Sequence, residues 1–281
     1  MFMKYKIACA AIALLSSAQA FAQDEPAKPI TVTGSVALVS DYRLRGVSQS
    51  DRGMAVQGGF TIAHESGAYV GTWASNLSGW GTFGGANMEL DLIGGYAVPL
   101  GEGSTLDMGL TWYMYPSGLS KTDFAELFGK LSHQIGPVKG LLGVAYAPKQ
   151  QALGEVCSDA DCTVFRPGKK NDNLYVWGDV SGAIPNTPVS LKAHLGWSKG
   201  NPGLGPNGTS AAPTGKYLDW LVGADLAIPG TPLTASIAYV DTDIARVEEN
   251  YIRPNFSVVD PDNAGKSIAR GTVVFSISAA F

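Results

Sequence analysis

Histidine and cysteine are scarce in this sequence, with three of each in 281 residues. Histidine is the side chain that changes charge most readily near neutral pH, and zinc sites need clustered Cys or His. The chain therefore has little from which to build either kind of centre. His64, His133 and His194 stand far apart, and none falls in a recognisable nucleophile motif. A hydrolase would need a serine beside a histidine held by a third group, whereas Ser66 near His64 reads as turn chemistry. The stretch Gly203 to Gly208 lacks the Lys-Ser/Thr that would make it a phosphate loop. No catalytic, cofactor-binding or metal site is expected. Charge is scarce too. Charged residues make up 16%, with 20 basic against 24 acidic, below the usual quarter. No clustered basic face is present, which argues against a nucleic-acid partner. Beyond the first residues no apolar run approaches the roughly 20 residues of a spanning helix.

The N-terminus has the pattern of an export signal. Lys4 and Lys6 precede an apolar run from Ile7 to Leu15, and Ala20-Phe21-Ala22 offers a cleavage site before Gln23. Such a leader is excluded from fold reasoning. The expected organisation is a signal peptide over 1–22, a short periplasmic segment over 23–29 and one β domain over 30–281. Cleavage removes two lysines and no acid, so the mature chain is more acidic than the whole. Cys9 leaves with the leader. Cys157 and Cys162 remain as an even pair, and an oxidising compartment makes a disulfide between them the default. Only four residues intervene, so its stabilising effect would be local and modest.

What the sequence does have is a period of two. Between Ile30 and Arg45, Ile30, Val32, Val36, Leu38 and Leu44 share one parity, while Thr31, Thr33, Ser35, Asp41, Arg43 and Arg45 share the other. Successive strand side chains point to opposite faces, so this strand separates an apolar from a polar environment. The pattern recurs near 55–64, 68–75, 88–98, 105–115, 123–132, 138–147, 172–181, 189–198, 217–227, 233–241 and 269–281, which makes twelve strands. The phase of 68–75 is ambiguous, because Tyr69 and Trp73 share one face and Val70 and Ala74 the other. Short turns (65–67, 99–103, 134–137, 184–188, 228–232) alternate with longer loops (46–54, 76–87, 116–122, 148–171, 199–216, 242–268). Short turns on one rim and long loops on the other are the habit of outer-membrane barrels. A sheet spanning a bilayer must also close, since lipid cannot satisfy a free edge. Aromatics near strand ends (Tyr42, Tyr96, Trp112, Tyr146, Trp197, Trp220) could form interfacial girdles. A soluble β-sandwich would share the alternation. The export signal and the chain end favour an antiparallel, outer-membrane-type transmembrane β-barrel.

The final segment carries the sharpest local signal. Phe281, Ile277, Phe275 and Val273 share one face of a strand that ends on an aromatic residue. This resembles the last-strand signature that the barrel-assembly machinery reads in outer-membrane proteins of Gram-negative bacteria. By parity the polar face then carries Asp41, Glu89, Asp91, Asp107, Glu126, Asp179, Asp219 and Asp225, with Arg43, Arg45, Lys130, Lys139, Lys192 and Arg270. Charges lining a pore can select solutes. Arg43, Arg45 and Arg270 would form a basic arc where the first and last strands meet, facing the acids Glu89 and Asp91. Equally, these arginines could brace loop carboxylates, and the lumen charges could pair and plug a small barrel. Twelve strands lie between filled eight-strand barrels and open sixteen-strand porins.

Three stretches extend the reading: Ser40-Asp41-Tyr42-Arg43-Leu44-Arg45-Gly46-Val47-Ser48-Gln49, Val56-Gln57-Gly58-Gly59-Phe60, and Tyr69-Val70-Gly71-Thr72-Trp73-Ala74-Ser75-Asn76. They resemble the TorF-type porin family of proteobacteria. Glu89 to Tyr96, Leu218-Asp219-Trp220 and Ala238 to Asp243 are similar to it as well, and the 148–171 loop is not. The resemblance implies a porin-like outer-membrane protein and supplies no substrate or site residues. The expectation is a channel for passive diffusion of small hydrophilic solutes or ions, with outer-membrane lipid and the assembly machinery as partners. A non-conducting structural or adhesive barrel, or an outer-membrane lipid hydrolase, are the alternatives; incubation with phospholipid would expose the last. Intact mass of membrane-extracted protein should begin at Gln23; a mature chain retaining Met1 would refute the leader.

Overall fold

The computed structural model describes residues 29–154, 169–200, 210–245 and 267–281. The expected leader and the expected disulfide pair Cys157 and Cys162 lie outside them. Fourteen strands are present among the described residues: β1 (Ile30–Val39), β2 (Arg43–Leu44), β3 (Val47–Ser48), β4 (Ala55–His64), β5 (Ala68–Asn76), β6 (Met88–Gly101), β7 (Ser104–Met114), β8 (Phe124–Ile135), β9 (Val138–Gln150), β10 (Asn171–Ala183), β11 (Val189–Lys199), β12 (Lys216–Ala227), β13 (Leu233–Thr242) and β14 (Thr272–Ala280). Twelve of them, β1 and β4 to β14, pair with their neighbours in one closed barrel. β2 and β3 form a separate two-stranded sheet.

Alternation decides which way each side chain faces. The outward residues Val32, Leu142 and Leu195 are 61%, 68% and 57% exposed, as are Phe275 and Ile277 in part. So broad an apolar surface is unstable in water and suits the hydrocarbon around an outer-membrane-type barrel. Tyr96, Trp112 and Tyr146 are exposed on this wall. Tyr42 is buried instead, so it belongs to no interfacial girdle. The ambiguous segment resolves in favour of its large rings: Trp73 pairs across the sheet with Asp91 and Val70 with Gly94, which turns Tyr69 and Trp73 inward. Inward glycines make room for such rings. A Cβ on Gly95, Gly143 or Gly196 would meet the side chain of Tyr69, Trp177 or Tyr175.

One element departs from expectation. The first strand stops at Val39 and does not run on to Arg45. The chain then folds back as a tight hairpin, with Arg43 opposite Ser48 and Leu44 opposite Val47. Its two turn residues, Arg45 (φ 48°) and Gly46 (φ 79°), both lie in the left-handed region. A two-residue hairpin loop with that geometry matches the strands' natural twist. Glycine adopts it freely, while arginine is strained there. Apolar side chains gather around this hairpin at the long-loop rim: Tyr42, Val47, Trp80, Phe83, Tyr115, Phe124, Leu153, Tyr217 and Ile268 form one buried cluster. The main packed core among the described residues therefore sits in one mouth of the barrel.

The barrel closes at a seam between β1 and β14 that is short. Five residues pair there, Ser35 with Ala280 through Val39 with Ser276, against ten between β1 and β4. Reciprocal backbone bonds between Gly34 and Phe281 extend it at 2.8 and 2.9 Å. At the other end the Ser40 N–H donates to the Phe275 carbonyl and the Ser40 hydroxyl accepts from the Phe275 N–H, both at 2.9 Å. The Phe281 ring lies over Gly34, so close that a Cβ on Gly34 would sit 2.7 Å from it. Gly34→Val should therefore cost about 1–3 kcal/mol through overpacking and, like deletion of Phe281, should lower the folded, heat-modifiable fraction on gels. Unchanged assembly in both variants would show that the seam does not depend on this contact.

Candidate functional site

The hairpin residues cross the lumen and touch much of its wall. Asp41 begins the crossing. Its Oδ2 accepts from Arg43 Nε at 2.7 Å, and its Oδ1 accepts from the hydroxyls of Ser48 and Ser50. Arg43 Nη1 donates to the Gly46 carbonyl at 2.8 Å and to the Arg270 carbonyl at 3.1 Å. Asp41 is thus an internal brace of the hairpin and not part of a pore wall, and Arg43 is spent on the same brace. The Ser48 N–H donates to the Ile268 carbonyl at 3.0 Å. A side chain on Gly46 would collide with Thr242 and Asp219, so the hairpin tip rests against β12 and β13.

Arg45 reaches furthest. Its Nη2 donates to Glu126 Oε2 on β8 at 2.7 Å. Its guanidinium lies 4.2 Å from the Tyr175 ring centre on β10. Asn173, with its amide oxygen turned to Arg45, accepts from Nη1 at 2.8 Å and donates to the Lys199 carbonyl at 3.2 Å. The Tyr217 hydroxyl on β12 donates to the Arg45 carbonyl at 2.9 Å. Arg45 and Glu126 are nearly fully buried. A buried arginine is tolerable only when its donors are matched in this way, and its planar fork suits a carboxylate and an aromatic face at once.

Below the hairpin the inner wall is laced with charge pairs. Lys130 bonds Asp107 at 2.8 Å, and Lys192 bonds Asp225 at 2.6 Å. His194 is held at Nδ1 by Asp179 at 2.6 Å and at Nε2 by Asp219 at 3.1 Å. The Tyr175 hydroxyl stands 2.8 Å from His194 Nε2. A polar chain therefore links Glu126, Arg45, Tyr175, His194 and Asp219 across the barrel.

The residues expected to line the pore are brought together in part. Glu89 and Asp91 lie on the inner face of β6, both buried, and the Tyr42 hydroxyl donates to Glu89 at 3.1 Å. Arg43 and Arg45 are inside the lumen, but on the hairpin and not on the first strand, and each is matched to a carboxylate. Arg270 contributes its carbonyl, while its side chain is exposed just before β14. The three arginines therefore do not form the continuous basic arc expected of adjacent first and last strands. The reason is the fold-back at Val39, which takes Arg43 and Arg45 out of the wall. Tyr42, expected in an interfacial girdle, and Asn173, Tyr175, Tyr217 and His194, none of them expected in a site, also belong to the site. For the last four, inward parity was the available signal. The two histidines beside serines, His64 with Ser66 at 2.9 Å and His133 with Ser104 at 2.8 Å, sit among exposed residues at the short-turn rim.

These features define a closed twelve-stranded antiparallel barrel with a charged lumen and a hairpin folded into its long-loop mouth. The chain belongs to the family described as a bacterial protein of unknown function (Gcw_chp), whose model matches residues 23–281. Among solved structures, it is similar to a chain from work on in-meso crystallisation of membrane proteins, with a TM-score of 0.51 at 11% identity, covering 89% of this chain and 83% of that one. At that identity the likeness shows the fold alone. Also similar are a porin refined at 1.8 Å resolution (TM-score 0.39, 8% identity, 90% of this chain and 100% of that one) and the outer membrane channel DcaP of Acinetobacter baumannii (TM-score 0.39, 12% identity, 90% and 97%). No curated protein matches the chain in sequence.

Removing one partner of a buried ion pair leaves an uncompensated charge and costs about 3–5 kcal/mol. Arg45→Ala should therefore lower the unfolding midpoint markedly, and the Arg45→Leu/Glu126→Leu double variant should recover most of the loss. Equal destabilisation by the single and double variants would show that the pair is not what holds the hairpin.

Proposed function

We propose that the protein is an exported outer-membrane channel of the porin kind, conducting small hydrophilic solutes or ions when its hairpin moves aside. The N-terminal motif that resembles TorF-type porins is the hairpin itself, which ties that resemblance to the lumen. The observation that carries the reading is the nature of the barrier. At its centre the obstruction is one short segment, residues 40–54, braced internally by Arg43 and Asp41 and tied to the wall by the polar contacts Arg45–Glu126, Tyr217–Arg45 and Tyr42–Glu89. Below it the wall charges are paired side to side along the barrel, leaving a polar lining of the sort that can pass ions. A hairpin ending in a strained arginine and bound by polar contacts can exist in two arrangements, as gating segments do. No hydrolytic chemistry is included in the proposal.

A second reading has a specific observation in its favour. The apolar cluster around the hairpin is large and buried, which suits a barrel sealed for good and acting through its loops. The two readings separate in a planar bilayer. Val39 and Ala55 are register partners on β1 and β4, so a two-residue Asn-Gly turn can join them directly in place of the hairpin. The intact protein should show infrequent or small conductance steps, and the shortened variant a larger, steadily open one. A shortened variant that folds but passes no current would favour the sealed barrel.

A further inference from the structure

Most inward carboxylates have a cationic partner, but two do not. Arg43 is matched to Asp41, Arg45 to Glu126, Lys130 to Asp107, Lys192 to Asp225, and His194 to Asp179 and Asp219. Among the described residues, no Lys, Arg or His lies within ion-pair distance of Glu89 or Asp91. Yet Glu89 is 0% and Asp91 7% exposed. Burying carboxylates without a cation is costly. Their surroundings are aromatic. Asp91 stands across the sheet from Trp73 on one side and Tyr113 on the other. Tyr42 meets the edge of Trp73 at 5.3 Å between ring centres, and Tyr113 stacks on Phe124 at 4.6 Å. Polar atoms here lack partners as well: Asp91 Oδ1, the Trp73 indole N–H and the hydroxyl of Tyr115. Tyr115 is itself only 3% exposed.

We propose that Glu89 and Asp91, with Tyr42, Trp73, Tyr113 and Tyr115, form a lumen site for a small organic cation bearing an ammonium group. Two carboxylates supply the countercharge and the aromatic rings supply cation–π attraction. A metal ion suits the site less well, because no group of three or more acidic, His or Cys residues among the described ones is arranged to hold one. The Tyr42 hydroxyl divides its bond between the two oxygens of Glu89 at 3.1 and 3.2 Å, longer than the usual O–H···O distance. An ammonium group that replaces this contact detaches the hairpin from β6, so the solute is also the agent that loosens the plug. The inference deepens the channel reading by naming a solute class, and it rests on that reading for its role in transport.

The test is equilibrium binding to the folded full-length protein by titration calorimetry at constant ionic strength. Putrescine and choline are the probes, with uncharged butanediol and calcium chloride as comparators. The wild-type protein should bind the amines saturably and not the diol. Glu89→Gln and Asp91→Asn should each weaken amine binding at least about tenfold, the loss of one charge-assisted contact, while Glu65→Gln on a surface turn should not. Absence of saturable amine binding to the wild type overturns the proposal without any variant. So does full affinity in the folded double variant, or binding of calcium in place of the amines. Bilayer conductance is measured separately. Binding without conduction keeps the site and removes the channel, and conduction without binding does the reverse.

Discussion

A single buried arginine organises the inside of this barrel. Arg45 cannot lie in the lumen uncompensated, since an isolated charge in a low-dielectric space is prohibitively costly. Its position therefore dictates those of Glu126, Tyr175, Asn173 and Tyr217, which come from three different strands, β8, β10 and β12. It also explains the strained backbone at the hairpin tip. The left-handed conformation of Arg45 is maintained because both ends of the residue are tied, the guanidinium to β8 and the carbonyl to β12.

The outside of the barrel obeys a different constraint. A sheet surrounded by lipid can leave no edge unpaired, so β1 must meet β14. Yet β1 also has to release the chain into the lumen at Val39. The short seam is the compromise between these demands. It is reinforced at one rim by Gly34 and Phe281 and at the other by Ser40, which bonds Phe275 through both its backbone and its hydroxyl. The residue that starts the hairpin thus also finishes the seam, so closure of the barrel and occlusion of its mouth are coupled at one point in the chain.

Much of this was legible in the amino-acid order. Side-chain alternation has a period of two, so parity alone located eleven of the wall segments to within three residues at each end and turned Glu89, Asp107 and Asp219 inward. The short turns and long loops then set the two rims. The hairpin was not legible, because Asp41, Arg43 and Arg45 continue the parity of β1 without a break, and nothing in a period of two reports that a strand has left its sheet. The clue was Gly46 after Arg45, a two-residue turn signal between Leu44 and Val47. Pairing of the lumen charges was equally hidden. Parity says that Arg45 and Glu126 share the interior, but only the fold-back brings them to 2.7 Å. That Glu89 and Asp91 lack a cation among the described residues shows only in three dimensions, where the other inward carboxylates meet theirs.

Residues 41–50 are an ordered part of the lumen, clamped there by Arg45. Amide hydrogen exchange measures this directly, because the N–H groups of Tyr42, Ser48 and Gln49 are all hydrogen-bonded within or beside the hairpin. In the intact protein this segment should be protected like the barrel strands flanking it, and Arg45→Ala should release it to the rates of an open loop while β1 and β4 keep their protection. Rapid exchange of residues 41–50 in the wild-type protein, or protection unaffected by Arg45→Ala, would contradict the account.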